Sequence, residues 1–149
     1  MSERRFVPVK AYEGRVRLPQ RKTALSAGYD LEAAEEVTLR PGQVALVPTG
    51  LKAYMGPGEV LVLAIRSSLA VKRQVTLANG IGVIDADYAD NPDNEGHILV
   101  ALANLGQEPV TIARGERIAQ GIFLSYMTTV DDQPGGARLG GIGSTGRSG

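Results

Sequence analysis

The chain has 149 residues, with 16 Lys+Arg against 16 Asp+Glu, one His and no Cys, which fits one soluble domain with a core of its own. Zero cysteines excludes disulfides, iron–sulfur clusters and thiol nucleophiles, and with a single His any bound metal must be held by oxygen. A formal charge of zero argues against a general nucleic-acid binder, and apolar runs of at most six residues, Val60 to Ile65 and Ile98 to Ala103, cannot span a membrane.

The N-terminal MSERRFVPVK has neither the apolar stretch nor the cleavage site of a secretory leader, so the expected location is the cytoplasm. Beyond it, β-rich runs recur in chain order: Phe6 to Tyr12, Val37 to Arg40, Val44 to Val47, Val60 to Ile65, Ile81 to Ile84, Ile98 to Ala103 and Ile118 to Tyr126. Corners rich in Pro and Gly separate them, among them Arg40-Pro41-Gly42-Gln43 and Gly56-Pro57-Gly58-Glu59. The helix candidate is Ser67 to Arg73, with Ser67 able to cap its own first turn. Many short strands and one brief helix predict an all-β subunit, a distorted jelly roll or β-sandwich, and exclude a βαβ fold. Seven of the 19 glycines fall in Gly135 to Gly149, where too few apolar side chains offset the entropy of ordering. The expected organisation is a β-domain over 1–134 and a mobile C-terminal arm over 135–149.

Several segments carry candidate chemistry. Arg66-Ser67-Ser68-Leu69-Ala70 follows a buried-looking strand and opens the helix, which suits either an anion or a simple capped start. Gly82-Val83-Ile84-Asp85-Ala86-Asp87-Tyr88 sets a carboxylate after an apolar run and an aromatic three residues on, with Asn79-Gly80 marking a hairpin tip. Asp85 could orient a water, Tyr88 press on a sugar and Asn79 bond a base edge; Asp-x-x-Tyr alone also fits a strand-end turn. Asp30, in Ala27-Gly28-Tyr29-Asp30-Leu31, suits an Asx-turn or a metal-bound water. Gln120 alternates with apolar neighbours along a strand, and His97 reads as a surface residue that titrates and does nothing more. Gly141-Ile142-Gly143-Ser144-Thr145-Gly146 matches G-x-G-x-x-G without the flanking strand and helix of a dinucleotide site. What remains is a phosphate nest of amides and hydroxyls with Arg138 nearby, or a flexible linker.

In order, AGYDL (27–31), RSSLA (66–70), GVIDADY (82–88), GERIAQ (115–120) and GGIGSTG (140–146) resemble the five motifs of the trimeric deoxyuridine triphosphatases. The resemblance implies a jelly-roll homotrimer with sites shared between chains, each arm closing over a neighbour's site. It also implies Mg²⁺-assisted hydrolysis of dUTP to dUMP and pyrophosphate, limiting uracil incorporation into DNA and supplying dUMP for dTMP synthesis; neither nucleic acid nor membrane is an implied partner. By the same resemblance, Asp85 orients the water that attacks the α-phosphate, Tyr88 packs where a 2′-hydroxyl would sit, and Asn79 with the backbone of Gly82 and Val83 reads uracil. Arg66, Ser67, Ser68 and Gln120 match residues that hold the α- and β-phosphates. Arg138, Gly143, Ser144 and Thr145 match the arm that grips the γ end, Ile142 covers the uracil, and Asp30 reaches Mg²⁺ through its water shell.

The pattern also departs from the family. Ile142 stands where Phe or His is usual, Arg138 lies one residue closer to that position than is common, and Ile65 replaces a usual Pro. Asp90 to Gly96 looks like an acidic insertion after the third motif. Two alternatives compete. The dCTP deaminases share an Arg-Ser-Ser-Leu-Ala string but need a Glu three residues before an Asn; aligning that Asn on Asn104 puts Ala101 there, with no general base. A dUTP-binding sensor would use the same site without turnover and recruit a partner through the arm or the acidic loop.

Overall fold

Pro8 is the last residue of the first strand, paired with Leu51, and the Val9 N–H still reaches the Gly50 carbonyl (2.8 Å) before the chain turns away. In a computed structural model that describes residues 3–136 and 138–142, β1 (Arg5–Pro8) stops there and a 3-10 turn at Lys10–Tyr12 follows. The run expected as one strand from Phe6 to Tyr12 is therefore a strand and a turn. The other described strands are β2 (Gln20–Arg21), β3 (Tyr29–Glu32), β4 (Val37–Leu39), β5 (Val44–Pro48), β6 (Leu51–Tyr54), β7 (Glu59–Ile65), β8 (Val75–Leu77), β9 (Gly82–Asp85), β10 (Leu99–Asn104), β11 (Val110–Ile112) and β12 (Arg117–Ser125). Helix α1 (Ser67–Arg73) joins β7 to β8. The all-β expectation with one short helix holds.

All pairings are antiparallel. The largest sheet runs β2-β3-β12-β7-β9, a second runs β5-β10-β8, and β1 pairs β6 while β11 pairs β4. Alternation along β7 turns Leu61 and Leu63 inward, where they meet Leu31, Leu39, Val100, Leu102 and Ile118 in one continuous core. Central β10 is apolar almost throughout because it lies between β5 and β8.

Three details position the site. First, β12 carries a bulge: Arg117 pairs Glu32 and Ala119 pairs Leu31, so the extra Ile118 is taken up on one strand. Ile118 and Ala119 are both fully buried, and the shift sets Gln120 opposite Asp30. Second, Asn79-Gly80 is not a hairpin tip. β8 belongs with β10 and β9 with β7, so this corner carries the chain from one sheet to the other. Third, Arg66, not Ser67, is the helix cap residue, with extended backbone and no side-chain capping bond. Among the described residues, no helix is long and apolar enough to cross a membrane.

Asn104 is fully buried at the end of β10. Its Nδ2 donates to the carbonyls of Leu39 (3.0 Å) and Glu108 (2.8 Å), and its Oδ1 accepts from the Gly106 N–H (2.9 Å). Asn104→Ala leaves these buried groups unpaired and is expected to cost about 3 kcal/mol. Denaturant titration checks this; a loss near zero would show that the surrounding loop relaxes without the amide.

Candidate active site

Among the described residues strand β9 is the edge of its sheet, paired with β7 alone, and it lines a cavity of about 200 Å³ with Leu46, Asn79, Tyr88 and Ala101. Its backbone can therefore offer donors and acceptors that no neighbouring strand takes. Asp85 closes β9, with its side chain about half exposed beside this cavity. Arg138 of the arm lies across the mouth. Its Nη2 donates to Asp85 Oδ2 (2.5 Å), its Nε donates to Asp87 Oδ1 (2.8 Å), and its guanidinium sits 5.5 Å from the Tyr88 ring centre. Two carboxylates and an aromatic face hold a side chain that is only 6% exposed. Ile142 also borders the cavity, whereas Gly143, Ser144 and Thr145 lie outside the described residues.

Tyr88 is buried and fixed from two directions. Its hydroxyl donates to the His97 carbonyl (2.7 Å) and accepts from Asn94 Nδ2 (2.9 Å). Burial pushes the phenol above its ordinary pKa, so it is uncharged at neutral pH. His97 is not the idle surface residue expected. Its Nε2 accepts from the Gly50 N–H (2.9 Å), its ring packs on Tyr12 at 5.4 Å, and burial lowers its pKa, opposed in part by Glu95 and Glu35.

A second cluster forms where β3, β12 and the end of β7 meet. Asp30 lies between Arg66 (3.6 Å) and Arg117 (3.8 Å), and pairs in register with Gln120. Gly28 leaves the space Gln120 needs: a Cβ there would lie 2.5 Å from Gln120 Oε1. Ser67 and Ser68 are exposed directly after Arg66. The residues expected for the α- and β-phosphates thus lie together, as do those expected for the nucleoside, but the two groups are apart and Arg138, expected at the γ end, lies with the second. Asp85 pairs with Val60 at one end of β7 and Arg66 follows its other end, a span of roughly 20 Å along the strand.

Among the described residues, no group of three or more His, Asp or Glu is arranged to hold a metal. A lone carboxylate between two guanidinia fits a metal ion that arrives on a polyphosphate and is reached through water, not one held by this chain alone. Sequence reasoning missed Arg117, Asp87, Asp93 and Asn94, although the acidic cluster after Tyr88 was a visible signal.

Residues 15–146 match the family model described as dUTPase. The chain belongs to the dUTPase family. It is 48% identical over 149 residues to the deoxyuridine 5′-triphosphate nucleotidohydrolase of Lactococcus lactis, covering 98% of this chain and 99% of that one. The Anaeromyxobacter enzyme of the same name is 45% identical over 87% of this chain and 88% of its own. The crystal structure of a Streptococcus mutans dUTPase superimposes with a TM-score of 0.79 at 45% identity, over 84% of this chain and 98% of that one.

In this dUTPase-family chain His97 is the one imidazole, so its linkage to folding can be read cleanly. With the folded pKa depressed, its contribution is fully present above about pH 6.5 and is lost as pH falls from there through the folded value. The melting temperature is expected to decline between pH 7.5 and 5.5, and His97→Gln, which keeps an acceptor for Gly50, should flatten that decline. An unchanged slope in the variant would remove His97 from the linkage.

Proposed function

We propose that this chain hydrolyses dUTP to dUMP and pyrophosphate in a homotrimer whose sites are shared between copies. The observation that carries this reading is the separation of two half-sites by roughly 20 Å along β7, one of nucleoside character around Asp85 and one of phosphate character around Arg66. A nucleoside triphosphate cannot touch both on one chain. Three-fold closure can bring the Arg66 end of one copy to the Asp85 end of another, and exposed Leu46 and Val83 at the cavity rim give association apolar surface to cover.

In this mechanism uracil lies against β9, with Asn79 and the edge backbone of Gly82 and Val83 taking its polar edge. Tyr88 leaves no room for a 2′-hydroxyl. Asp85, half exposed beside the cavity, accepts the proton of the water attacking the α-phosphorus, and pyrophosphate leaves on the opposite side. Arg66, Ser67, Ser68 and Gln120 hold the α- and β-phosphates, and Arg138 turns from Asp85 and Asp87 to the γ end with Ser144 and Thr145. Bound Mg²⁺ would supply charge neutralisation on the phosphates, with Asp30 reaching its water shell. The arm, residues 135–149, closes the site through Ile142 and Gly143. Along residues 138–142 it rests on this chain's own Asp85 and Tyr88, and closure over a neighbour exchanges arms between copies while Arg138 leaves Asp85 for the γ end. The cytoplasm is the proposed location, with removal of dUTP as the service.

A deaminase reading is disfavoured by Ala101, which lines the cavity with a methyl group where a base is needed. Incubation with Mg²⁺ and, separately, dUTP, dCTP, dTTP and UTP is expected to convert dUTP alone. Binding of dUTP without turnover would favour a sensor.

Asp85→Asn is expected to keep dUTP binding and lower kcat about 1,000-fold, and turnover near the native rate would sink the base assignment. Inactive Asp85→Asn and Arg66→Ala chains, unfolded together and refolded, should regain roughly a quarter of native activity, because a mixed trimer rebuilds one intact site. No recovery on mixing would mean that each site lies within a single chain.

A further inference from the structure

The acidic loop after the third motif has so far no task. Its feet are clamped to β6: the buried Lys52 Nζ donates to Asp90 Oδ1 (2.6 Å) and Glu95 Oε2 (2.8 Å), and the Tyr54 hydroxyl donates to Asp90 Oδ2 (2.6 Å). Between these feet the buried Asn91 organises the turn. Its Oδ1 accepts from the backbone N–H groups of Asp93 and Asn94, and its Nδ2 donates to Asn94 Oδ1 (2.8 Å). With the Gly96 N–H also on Oδ1 (3.1 Å), the Asn94 amide can present only its Nδ2 outward, and that atom meets the Tyr88 hydroxyl.

The same side of the loop receives the arm. The Gly141 N–H donates to Asp93 Oδ2 (3.3 Å), and a Cβ on Gly141 would lie only 2.7 Å from Asn94 Nδ2, so the arm's backbone lies directly on the Asn94 amide. We propose that the 90–96 loop is a positioning device in which Asn94 fixes the Tyr88 ring and, with Asp93, forms the seat for the arm, so that sugar discrimination and arm closure share one support. The proposal rests on the reading of Tyr88 as the wall against a 2′-hydroxyl. Asn94 and Asp93 are positioning residues: they act on substrate through Tyr88 and Gly141.

The test assays Asn94→Ala, Tyr88→Phe and the double variant with Mg²⁺ and either dUTP or UTP. Each single change is expected to lower kcat/KM for dUTP about 10-fold, mainly through KM, and to narrow the preference for dUTP over UTP about 10-fold. The double variant should lose clearly less than the two single losses combined, because both remove the Asn94–Tyr88 hydrogen bond. Additive losses, or an unchanged preference in Asn94→Ala, overturn the proposal. Asp93→Ala changes an exposed side chain and should leave folding intact; about a 3-fold rise in KM is expected from the weakened seat, and an unchanged KM removes Asp93 from it. If the native chain turns over no dUTP, the functional reading fails, and the loop is then judged by whether Asn94→Ala narrows the ratio of dissociation constants for dUMP and UMP.

Discussion

The pairing of β7 with β12 on one side and β9 on the other is the constraint on which the rest of the molecule depends. Seven consecutive residues of β7 pair with β12, and four of them also pair with β9. That ladder fixes the inward alternation of Leu61 and Leu63 and so sets the core. It also fixes what stands at the two ends of the strand: Arg66 with Asp30 and Gln120 at one, Asp85 with the nucleoside cavity at the other. A one-residue slip would turn the core leucines to solvent, so the distance between the half-sites is as firm as the core itself. The proposed assembly of each site from several copies would then be a geometric consequence of strand length, not an added feature.

Each half-site is also electrostatically self-contained. Asp30 sits between Arg66 and Arg117, and Asp85 and Asp87 share Arg138. The Arg66 and Arg117 contacts, at 3.6 and 3.8 Å, are longer than a good hydrogen bond, and partly exposed pairs of this kind are worth little net free energy. A triphosphate offers these arginines more charge than the carboxylates do. On the proposed reading, exchange of partners by Arg66 and Arg117 on binding would therefore cost little, so that this half-site is held in order before substrate arrives and releases its arginines when it does.

Much of this was legible in the sequence, for definite reasons. Strands whose apolar residues face a deep core, such as β7, β10 and β12, announce themselves by composition and alternation. The three- and four-residue strands β3, β6, β8 and β11 do not, because their identity comes from the partner strand and not from any period of their own. The two half-sites appeared as weak local motifs that gained force only as an ordered set. His97 was misread because its burial depends on Gly50 and Tyr12, distant in sequence. Arg117 and Asn94 were missed for the same reason: their roles come from Asp30 and Tyr88 across a fold that single-residue reasoning does not see. Asn79-Gly80 had the composition of a hairpin tip, and only sheet membership distinguishes a corner between sheets from a turn within one.

The loop that supports Tyr88 shows how an acidic segment becomes rigid. Burial alone would lower the pKa of the Lys52 ammonium, yet hydrogen bonds to Asp90 and Glu95 outweigh that cost and raise it above the ordinary lysine value. Reciprocally, the hydrogen bond from Lys52 is the largest influence holding both carboxyls below their ordinary range. The clamp is therefore at full strength above about pH 4.5 and is lost as pH falls through the depressed values, well away from neutrality. Removing either carboxylate would leave a buried ammonium with half its partners, whereas the charge of Asp93, exposed and outside the clamp, is free to meet the arm. Within one short loop two carboxylates on the buried Lys52 hold its feet, the neutral amides of Asn91 and Asn94 aim at Tyr88, and the carboxylate of Asp93 faces the arm. That division of labour follows from desolvation: the buried charge, Lys52, is matched by two carboxylates that keep a side in water, whereas exposed Asp93 meets a backbone N–H.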